Sequence, residues 1–208
     1  MKPMPPISSE TMMQESGIIT LFHDIEDSYI IEDLLVYSTI RKEQDIYMYI
    51  RSDGGRVYEG LAIYDTMQLI PNDVVTIGMG CCASMASILL AAGTKGKRFV
   101  TPNTWIMIHQ PWGGAIGKSD EMEIAAAHMK QLKEQCYNIL GKHTGQGIKK
   151  IEEAMRLDCW FNPKQAIEFG LIDGVKGGNE NGSVSNNTPR VRKANGNSRR
   201  IRNKGSRF

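Results

Sequence analysis

One stretch, residues 78–93, constrains the fold more than any other part of the chain. The β-branched run at residues 74–77 leads into two glycines, and a helix of small residues follows at 83–92. A strand, a tight glycine turn and a serine at the start of a helix form a geometry that presents a hydroxyl beside unpartnered backbone N–H groups. Small residues at such a junction also permit close packing, so this stretch alone leaves Ser84 open to a purely structural interpretation.

Strands and helices alternate along the rest of the chain. Short apolar runs predict strands at residues 18–22, 45–50, 73–77, 97–101, 105–109 and 171–173. Apolar residues at helical spacing predict helices at residues 27–42, 58–69, 83–92, 119–142, 147–157 and 162–169. Ser119 is expected to cap the longest helix. The repeated strand–helix units predict an α/β layered fold with largely parallel pairing.

Composition and charge divide the chain into three parts. With 208 residues, of which 41% are hydrophobic, the chain can bury one sizeable core. We expect a flexible N-terminal segment at residues 1–17, one domain at 18–175 and a disordered basic tail at 176–208. Residues 174–208 hold nine Lys or Arg and one acid, which leaves a net charge of −6 on the preceding residues. Because the tail lacks interleaved aromatic residues, solubilisation is favoured over nucleic-acid binding as its role.

Several functional classes are disfavoured by what the sequence lacks. It has no run of about 18 apolar residues that would span a membrane, and its first residues lack the apolar segment of a secretory signal. The four cysteines show no metal-binding or disulfide spacing and predict reduced thiols in the cytoplasm or an equivalent reducing compartment. The four histidines form no zinc-like cluster, so neither a metal nor another cofactor is expected. Residues 113–119 fall short of a phosphate-binding loop, so any requirement for ATP must come from a partner.

Three residues carry the chemistry of a serine nucleophile and its base. Ser84 is the candidate nucleophile, and Ser87, almost one turn further into the helix, is the rival hydroxyl. His109 ends a predicted strand, which is where α/β folds place their sites. Asp158 lies among bulky apolar residues and needs a partner, which a histidine N–H would supply. Taken singly, the histidine can equally be structural, and the aspartate can equally cap a turn.

Backbone amides are candidates for an oxyanion hole. Gly54 and Gly55 lie in a turn that follows the predicted strand at 45–50, and Met85 follows the candidate nucleophile. N–H groups in such positions can stabilise the negative oxygen of a tetrahedral intermediate. Any glycine turn would look the same in a sequence, so this prediction depends on the rest of the site.

An ordered set of segments matches one known family. The chain resembles the Clp protease (ClpP) family of serine peptidases over roughly residues 18–175, and the matching segments are residues 45–50, 54–55, 62–68, 78–86, 89–93, 97–98, 102–103, 107–111, 144–146 and 166–173. The resemblance implies that Ser84, within Ala-Ser-Met-Ala, is the nucleophile and that His109, within His-Gln-Pro, is the general base. Asp158 matches the triad aspartate, and the backbone amides named above match the family's oxyanion hole.

The resemblance also implies an architecture and partners. The fold would be a crotonase-like, ClpP-type spiral of strand–helix units, with a protruding handle formed by the ribbon after residue 109 and the helix at 119–142. Stacked heptameric rings, forming a tetradecamer, would enclose a chamber in which unfolded proteins are degraded. A Clp-type AAA+ ATPase would feed the substrates, which makes degradation ATP-dependent. Tyr47 and Tyr49 match aromatic positions of the pockets at which that ATPase docks, although ordinary strand aromatics would look the same.

The chain departs from the family pattern at two places. The turn before the glycine pair reads Arg51-Ser52-Asp53, where the family has Asn-Ser-Pro. Arg156-Leu157 replaces an acidic–Arg pair through which rings contact each other in the family. Two alternatives to an active cellular protease also stay open at this point, an inactive structural ring subunit and a viral capsid-maturation protease on the same fold.

Overall fold

The computed structural model describes residues 9–27 and 29–177, along which strands alternate with helices except that β5 follows β4 and α6 follows α5 directly. The strands are β1 (Ile18–Leu21), β2 (Ile46–Ser52), β3 (Val74–Ala83), β4 (Arg98–Val100), β5 (Trp105–Ile108), β6 (Cys159–Phe161) and β7 (Gly174–Val175). The helices are α1 (Ser9–Ser16), α2 (Tyr29–Ile40), α3 (Val57–Leu69), α4 (Met85–Ala91), α5 (Ser119–Thr144), α6 (Ile148–Met155) and α7 (Pro163–Phe169).

The sheet is organised around the long strand β3. The strand order is β1-β2-β3-β4-β7, and all of these neighbours pair in parallel. The second half of β3 pairs in parallel with β5, which in turn pairs with the antiparallel β6. The predicted α/β fold with largely parallel pairing is confirmed. Since parallel strands need long crossovers, the helices lie between them in the chain and pack on the sheet.

Alternation along the strands divides the apolar side chains between two faces of the sheet. On β2, Ile46, Met48 and Ile50 point into the main core, which the helices cover. The alternate residue Tyr47 joins a smaller cluster on the other face, with Tyr49 packed against it. The rest of this second cluster consists of Val75, Ile77 and Phe99 on β3 and β4, with Ile18 of β1 at its margin.

The glycine turn predicted at the end of the third strand is wrong. Strand β3 continues through both glycines to Ala83, and helix α4 begins only at Met85. A left-handed Gly80, with φ 67°, and a register shift between Ile50 and Ser52 of β2 accommodate the extra length. Pairing with β5 supplies the hydrogen bonds that keep this second half extended.

Other elements differ from the prediction at their ends or were missed. Helix α1 lies in the segment expected to be flexible, and no helix was predicted there. The three-residue strand β6 is too short to show periodicity, and the last strand lies at Gly174–Val175 instead of 171–173. Ser119 is the first residue of α5 and not its cap; Lys118 precedes it, and the Lys118 N–H donates to the Glu121 carboxylate at 3.0 Å. The predicted tail at 176–208 lies outside the described residues apart from its first two.

A buried ion pair joins the ends of several elements. Arg98 on β4 is only 3% exposed, and its Nε and Nη2 atoms donate to the two carboxylate oxygens of Asp173 at 2.9 and 2.6 Å. Its Nη1 atom donates to the carbonyls of Ala91, His143 and Gly170, at the C-terminal ends of α4, α5 and α7. Carbonyls at the C-terminal end of a helix accept no hydrogen bond from the N–H groups of their own helix. Arg98 therefore satisfies these carbonyls and places one positive charge at the negative ends of three helix dipoles.

The same pair governs the ionisation of Asp173. Burial by itself would raise the pKa of this carboxyl group, but the hydrogen bonds and positive charge of Arg98 and the N–H of Gly96 outweigh it. The pKa of Asp173 is therefore held below its usual value in the folded protein. Such a group stabilises the fold at pH values above its ordinary pKa, and this stabilisation is lost as the pH falls through the lowered value.

We expect Asp173→Asn to lower the free energy of unfolding at pH 7 by about 3–5 kcal/mol, because it leaves the Arg98 charge buried without its partner. The difference from the unsubstituted protein should shrink as the pH falls below about 4. Urea unfolding followed by tryptophan fluorescence measures both effects. Lys97→Met is the control, since it breaks pairs with Asp45 and Asp73 that are one-third exposed or more and should cost no more than about 1 kcal/mol. Equal losses from the two variants would contradict the importance of the buried pair.

Candidate active site

Ser84 lies at the junction of β3 and α4 in a strained backbone conformation. Its φ and ψ angles are 54° and −127°, a left-handed region that non-glycine residues rarely adopt. Its N–H donates to the carbonyl of Met107 on β5 at 2.9 Å. Its carbonyl accepts from the backbone N–H of Ser87 at 3.0 Å and from the Ser87 hydroxyl at 2.6 Å. Bonds on both sides thus hold a conformation that costs on the order of 1–3 kcal/mol.

The rival hydroxyl has a structural role. Ser87 is buried inside α4, and its hydroxyl donates to the carbonyl of Ser84. It therefore supports the turn that carries Ser84 and drops out as the rival nucleophile. The nearby thiol of Cys82 is also a poor nucleophile, because burial raises its pKa to about 12.

The structure brings Ser84, His109 and Asp158 together in one hydrogen-bonded row. The Nε2 atom of His109 lies 2.9 Å from the Ser84 hydroxyl oxygen, and its Nδ1 atom lies 3.0 Å from Oδ1 of Asp158. The antiparallel pairing of β5 with β6 produces this meeting. Ile108 pairs with Cys159, so the next residues outward along the two strands are the histidine and the aspartate.

Hydrogen-bond chemistry assigns the histidine tautomer. An ionised carboxylate can only accept, so the Nδ1 atom of His109 must carry the proton that faces Asp158. In the neutral ring, Nε2 is then an acceptor and can receive the proton of the Ser84 hydroxyl. The row can therefore activate a serine oxygen and hold the imidazolium that results.

The glycine turn passes directly against the serine. A Cβ atom on Gly54 would lie 2.6 Å from the Ser84 Cβ and 3.2 Å from the Met85 nitrogen, so only glycine fits there. An isolated parallel bridge fixes the turn, since the N–H of Ile25 donates to Gly54 at 2.7 Å and the N–H of Arg56 donates to Ile25 at 2.8 Å. The close approach places the backbone of the turn beside the hydroxyl-bearing residue.

The hydrogen bonds distinguish between the candidate oxyanion donors. The N–H of Gly54 donates to the Ser52 hydroxyl at 3.1 Å and is engaged within the turn. The bridge to residue 25 uses the carbonyl of Gly54 and the N–H of Arg56, so it leaves the Gly55 N–H out. Met85 is the first residue of α4, where an N–H has no acceptor within its own helix. Of the predicted donors, Gly55 and Met85 fit an oxyanion better than Gly54.

Sequence reasoning missed the residues that hold the site through their backbones. Ile25 fixes the glycine turn, and Met107 fixes the backbone of Ser84. Both contacts join segments that are distant in the chain. Since they use main-chain atoms that every residue has, no side-chain pattern could have revealed them.

The predicted docking residues lie on a different part of the sheet. Tyr47 is buried in the second-face cluster, and Tyr49 is half-buried beside it. Tyr49 pairs in register with Ile77, which precedes Ser84 on β3 by seven positions. Burial raises the pKa of both tyrosines, so both stay neutral near pH 7.

Two classes of feature are missing from the part of the chain that the structure describes. There, no group of three or more His, Cys, Asp or Glu side chains is arranged to hold a metal ion. No helix in residues 9–27 or 29–177 is long and apolar enough to cross a membrane. All four cysteines are free thiols.

Comparisons with known proteins agree with this geometry. The family model for the Clp protease matches residues 7–179. The ATP-dependent Clp protease proteolytic subunit of Ligilactobacillus salivarius (strain UCC118) is 51% identical over 146 residues. The matched region covers 70% of this chain and 74% of that protein.

We expect Gly54→Ala to slow the reaction of Ser84 with a fluorophosphonate probe on the order of 100-fold, because the added Cβ displaces the serine side chain from the histidine. Mass spectrometry of the labelled protein gives the rate. Gly96→Ala is the matched control, because Gly96 also has a positive φ but has open space around a built Cβ. If both variants are slowed equally, backbone strain and not contact with Ser84 explains the loss of labelling rate.

Proposed function

The chain belongs to the Clp protease family and is a serine-type endopeptidase, and from this premise we propose that Ser84, His109 and Asp158 are its catalytic triad. The observation that carries the assignment is the two-sided hydrogen bonding of His109, with 2.9 Å to the serine and 3.0 Å to the aspartate. A complete, connected triad disfavours the alternative of an inactive ring subunit. The family match likewise favours a Clp-type protease over a viral capsid-maturation protease.

The proposed reaction follows from the atoms that face each other. His109 takes the hydroxyl proton at Nε2 as the Ser84 oxygen attacks the carbonyl carbon of a peptide bond. The N–H groups of Gly55 and Met85 stabilise the negative oxygen of the tetrahedral intermediate. The histidine then gives its proton to the departing amine, and water hydrolyses the acyl-enzyme by the same steps. Asp158 accepts from Nδ1 throughout and stabilises the imidazolium.

The proposed substrates are unfolded polypeptides in an extended conformation. The ribbon at residues 111–118 follows directly on His109, is largely exposed and forms no helix or strand. An extended chain can add to such a ribbon as a further strand, with main-chain hydrogen bonds that do not depend on its sequence. This arrangement would bring successive peptide bonds to Ser84.

We further propose that copies of this chain stack as heptameric rings, in a tetradecamer whose chamber contains the sites. Large apolar side chains are exposed along the ribbon and the start of α5, namely Trp112, Ile116, Met122 and Ile124. Exposed apolar side chains along one segment of a surface are typical of a protein–protein interface. They support the interpretation of this region as the handle through which rings meet.

The proposed partner is a Clp-type AAA+ ATPase that unfolds substrates and delivers them to the chamber. The relative described above is by name the proteolytic subunit of an ATP-dependent protease. Tyr49, which is half-buried at the margin of the second-face cluster, is the aromatic side chain at which this partner would dock. We place the protein in the cytoplasm or an equivalent reducing compartment, which its free thiols support.

We expect Ser84→Ala to lower the rate of peptide cleavage on the order of 10⁶-fold and Asp158→Ala to lower it less, on the order of 10⁴-fold. Hydrolysis of a short fluorogenic peptide measures both rates. Ser87→Ala is the control, because its hydroxyl supports the turn but does not contact His109, and it should stay within about tenfold of the unsubstituted protein. Undiminished cleavage by the Ser84→Ala protein would refute the triad.

We expect Tyr49→Ala to abolish the degradation of a folded protein in the presence of the ATPase, because it removes an aromatic ring from the docking surface. Cleavage of the short peptide should stay within about twofold, since Ile77, the β3 residue that pairs with Tyr49, lies seven positions before Ser84. Native mass spectrometry of the same variant should still give a tetradecamer. Retained ATP-dependent degradation would contradict this docking surface, and a monomeric unsubstituted protein would contradict the ring.

A further inference from the structure

We propose that Gln110 is a positioning residue for the triad: its side chain holds the segment that carries Asp158 against the strand that carries His109. This inference rests on the proposed function of the triad. It assigns Gln110 no contact with substrate and no part in proton transfer.

Two hydrogen bonds connect Gln110 to the end of helix α6. Its backbone N–H donates to the carbonyl of Met155 at 2.8 Å, and its Nε2 atom donates to the carbonyl of Arg156 at 3.2 Å. Met155 is the last residue of α6, and Arg156 follows it. Carbonyls at a helix end have no acceptor role within the helix, so one residue from β5 satisfies two of them.

These bonds continue a row of contacts that begins in the sheet. Ile106 to Ile108 pair with residues 159–161, and His109 meets Asp158 directly outside this ladder. Gln110 then bonds to the carbonyls of residues 155 and 156. The short link that carries Asp158 is thus attached to the histidine strand on both sides of the aspartate.

The aspartate needs this support because its side chain is exposed. Asp158 has 62% of its side chain open to solvent, whereas His109 has 17%. Packing therefore holds the imidazole but does little to hold the carboxylate. An exposed side chain keeps one orientation only as well as its backbone is held, so attachment of the link decides how Asp158 faces Nδ1.

The side-chain bond can be removed without removing the fold. Gln110 is half-buried and lies in an open groove of about 470 Å³ between α5 and α6, which is lined mostly by charged side chains, and its bond to the Arg156 carbonyl is exposed to solvent. Water can replace the lost amide there, so stability should change little. Water does not transmit a fixed position from β5 to the link, however, and the geometry of the triad should loosen.

The test uses Gln110→Met in the full-length protein, because methionine keeps the length of the side chain and lacks the N–H donor. We expect kcat for the fluorogenic peptide to fall at least about tenfold and KM to stay within about twofold, since only the geometry of the triad is affected. Gln146→Met is the matched control: the Nε2 atom of Gln146 also donates to a backbone carbonyl, that of Phe169, at 2.9 Å. This variant should keep its kcat.

A double-mutant cycle separates positioning from a general structural role. If Gln110 acts through Asp158, adding Gln110→Met to Asp158→Ala should lower kcat no further. An equal fall in both backgrounds would overturn the proposal. Should Gln110→Met not fold, Gln110→Asn replaces it, because its amide is one methylene shorter and cannot span the same distance.

The outcomes also distinguish the failure of this positioning role from the failure of the proposed catalytic triad. Full activity of Ser84→Ala would refute the triad itself. An inactive Ser84→Ala protein together with an unchanged kcat for Gln110→Met would refute only the positioning role. Loss of kcat with an unchanged KM, confined to the background that retains Asp158, supports it.

Discussion

The buried pair of Arg98 and Asp173 is the interaction on which the arrangement of the helices depends. One guanidinium group binds a carboxylate and three carbonyls that end α4, α5 and α7. Helix α4 is thereby held at its C-terminal end, while its N-terminal end carries Ser84. The pair contacts α4 only at the end opposite to Ser84, yet it sets where the serine helix can lie. A buried charge of this kind is tolerated because each of its donors is satisfied.

The candidate site is assembled from three backbone attachments, two of which share strand β5. The strained backbone of Ser84 is held by the carbonyl of Met107, and the glycine turn is held by Ile25. The histidine and the aspartate are aligned by the pairing of β5 with β6. Each attachment uses backbone hydrogen bonds, so the reactive side chains are not also needed to hold the structure. Strain at Ser84 persists because the surrounding strands over-determine it.

Much of this could be predicted from sequence, and the failures have physical causes. Long periodic segments such as α3 and α5 were found within a few residues because their apolar spacing is local. The end of β3 was missed because glycines usually break a strand, and only its pairing with β5 keeps it extended. Strand β6 was missed because its three residues carry no period of their own. Both errors concern strands whose partners lie far away in the chain.

The sequence by itself determined the α/β class, the family, and the candidates for a serine nucleophile, its general base and the carboxylate that orients the base. Only the tertiary structure decided how these residues meet. His109 is 25 positions from Ser84 and 49 positions from Asp158, and its hydrogen bonds to both follow from strand pairing and not from sequence spacing. The fold also turned the Ser87 hydroxyl toward a backbone carbonyl, engaged the N–H of Gly54 and left that of Gly55 out of the bridge. Such choices depend on which polar groups find partners as distant segments come together, and a linear pattern does not contain them.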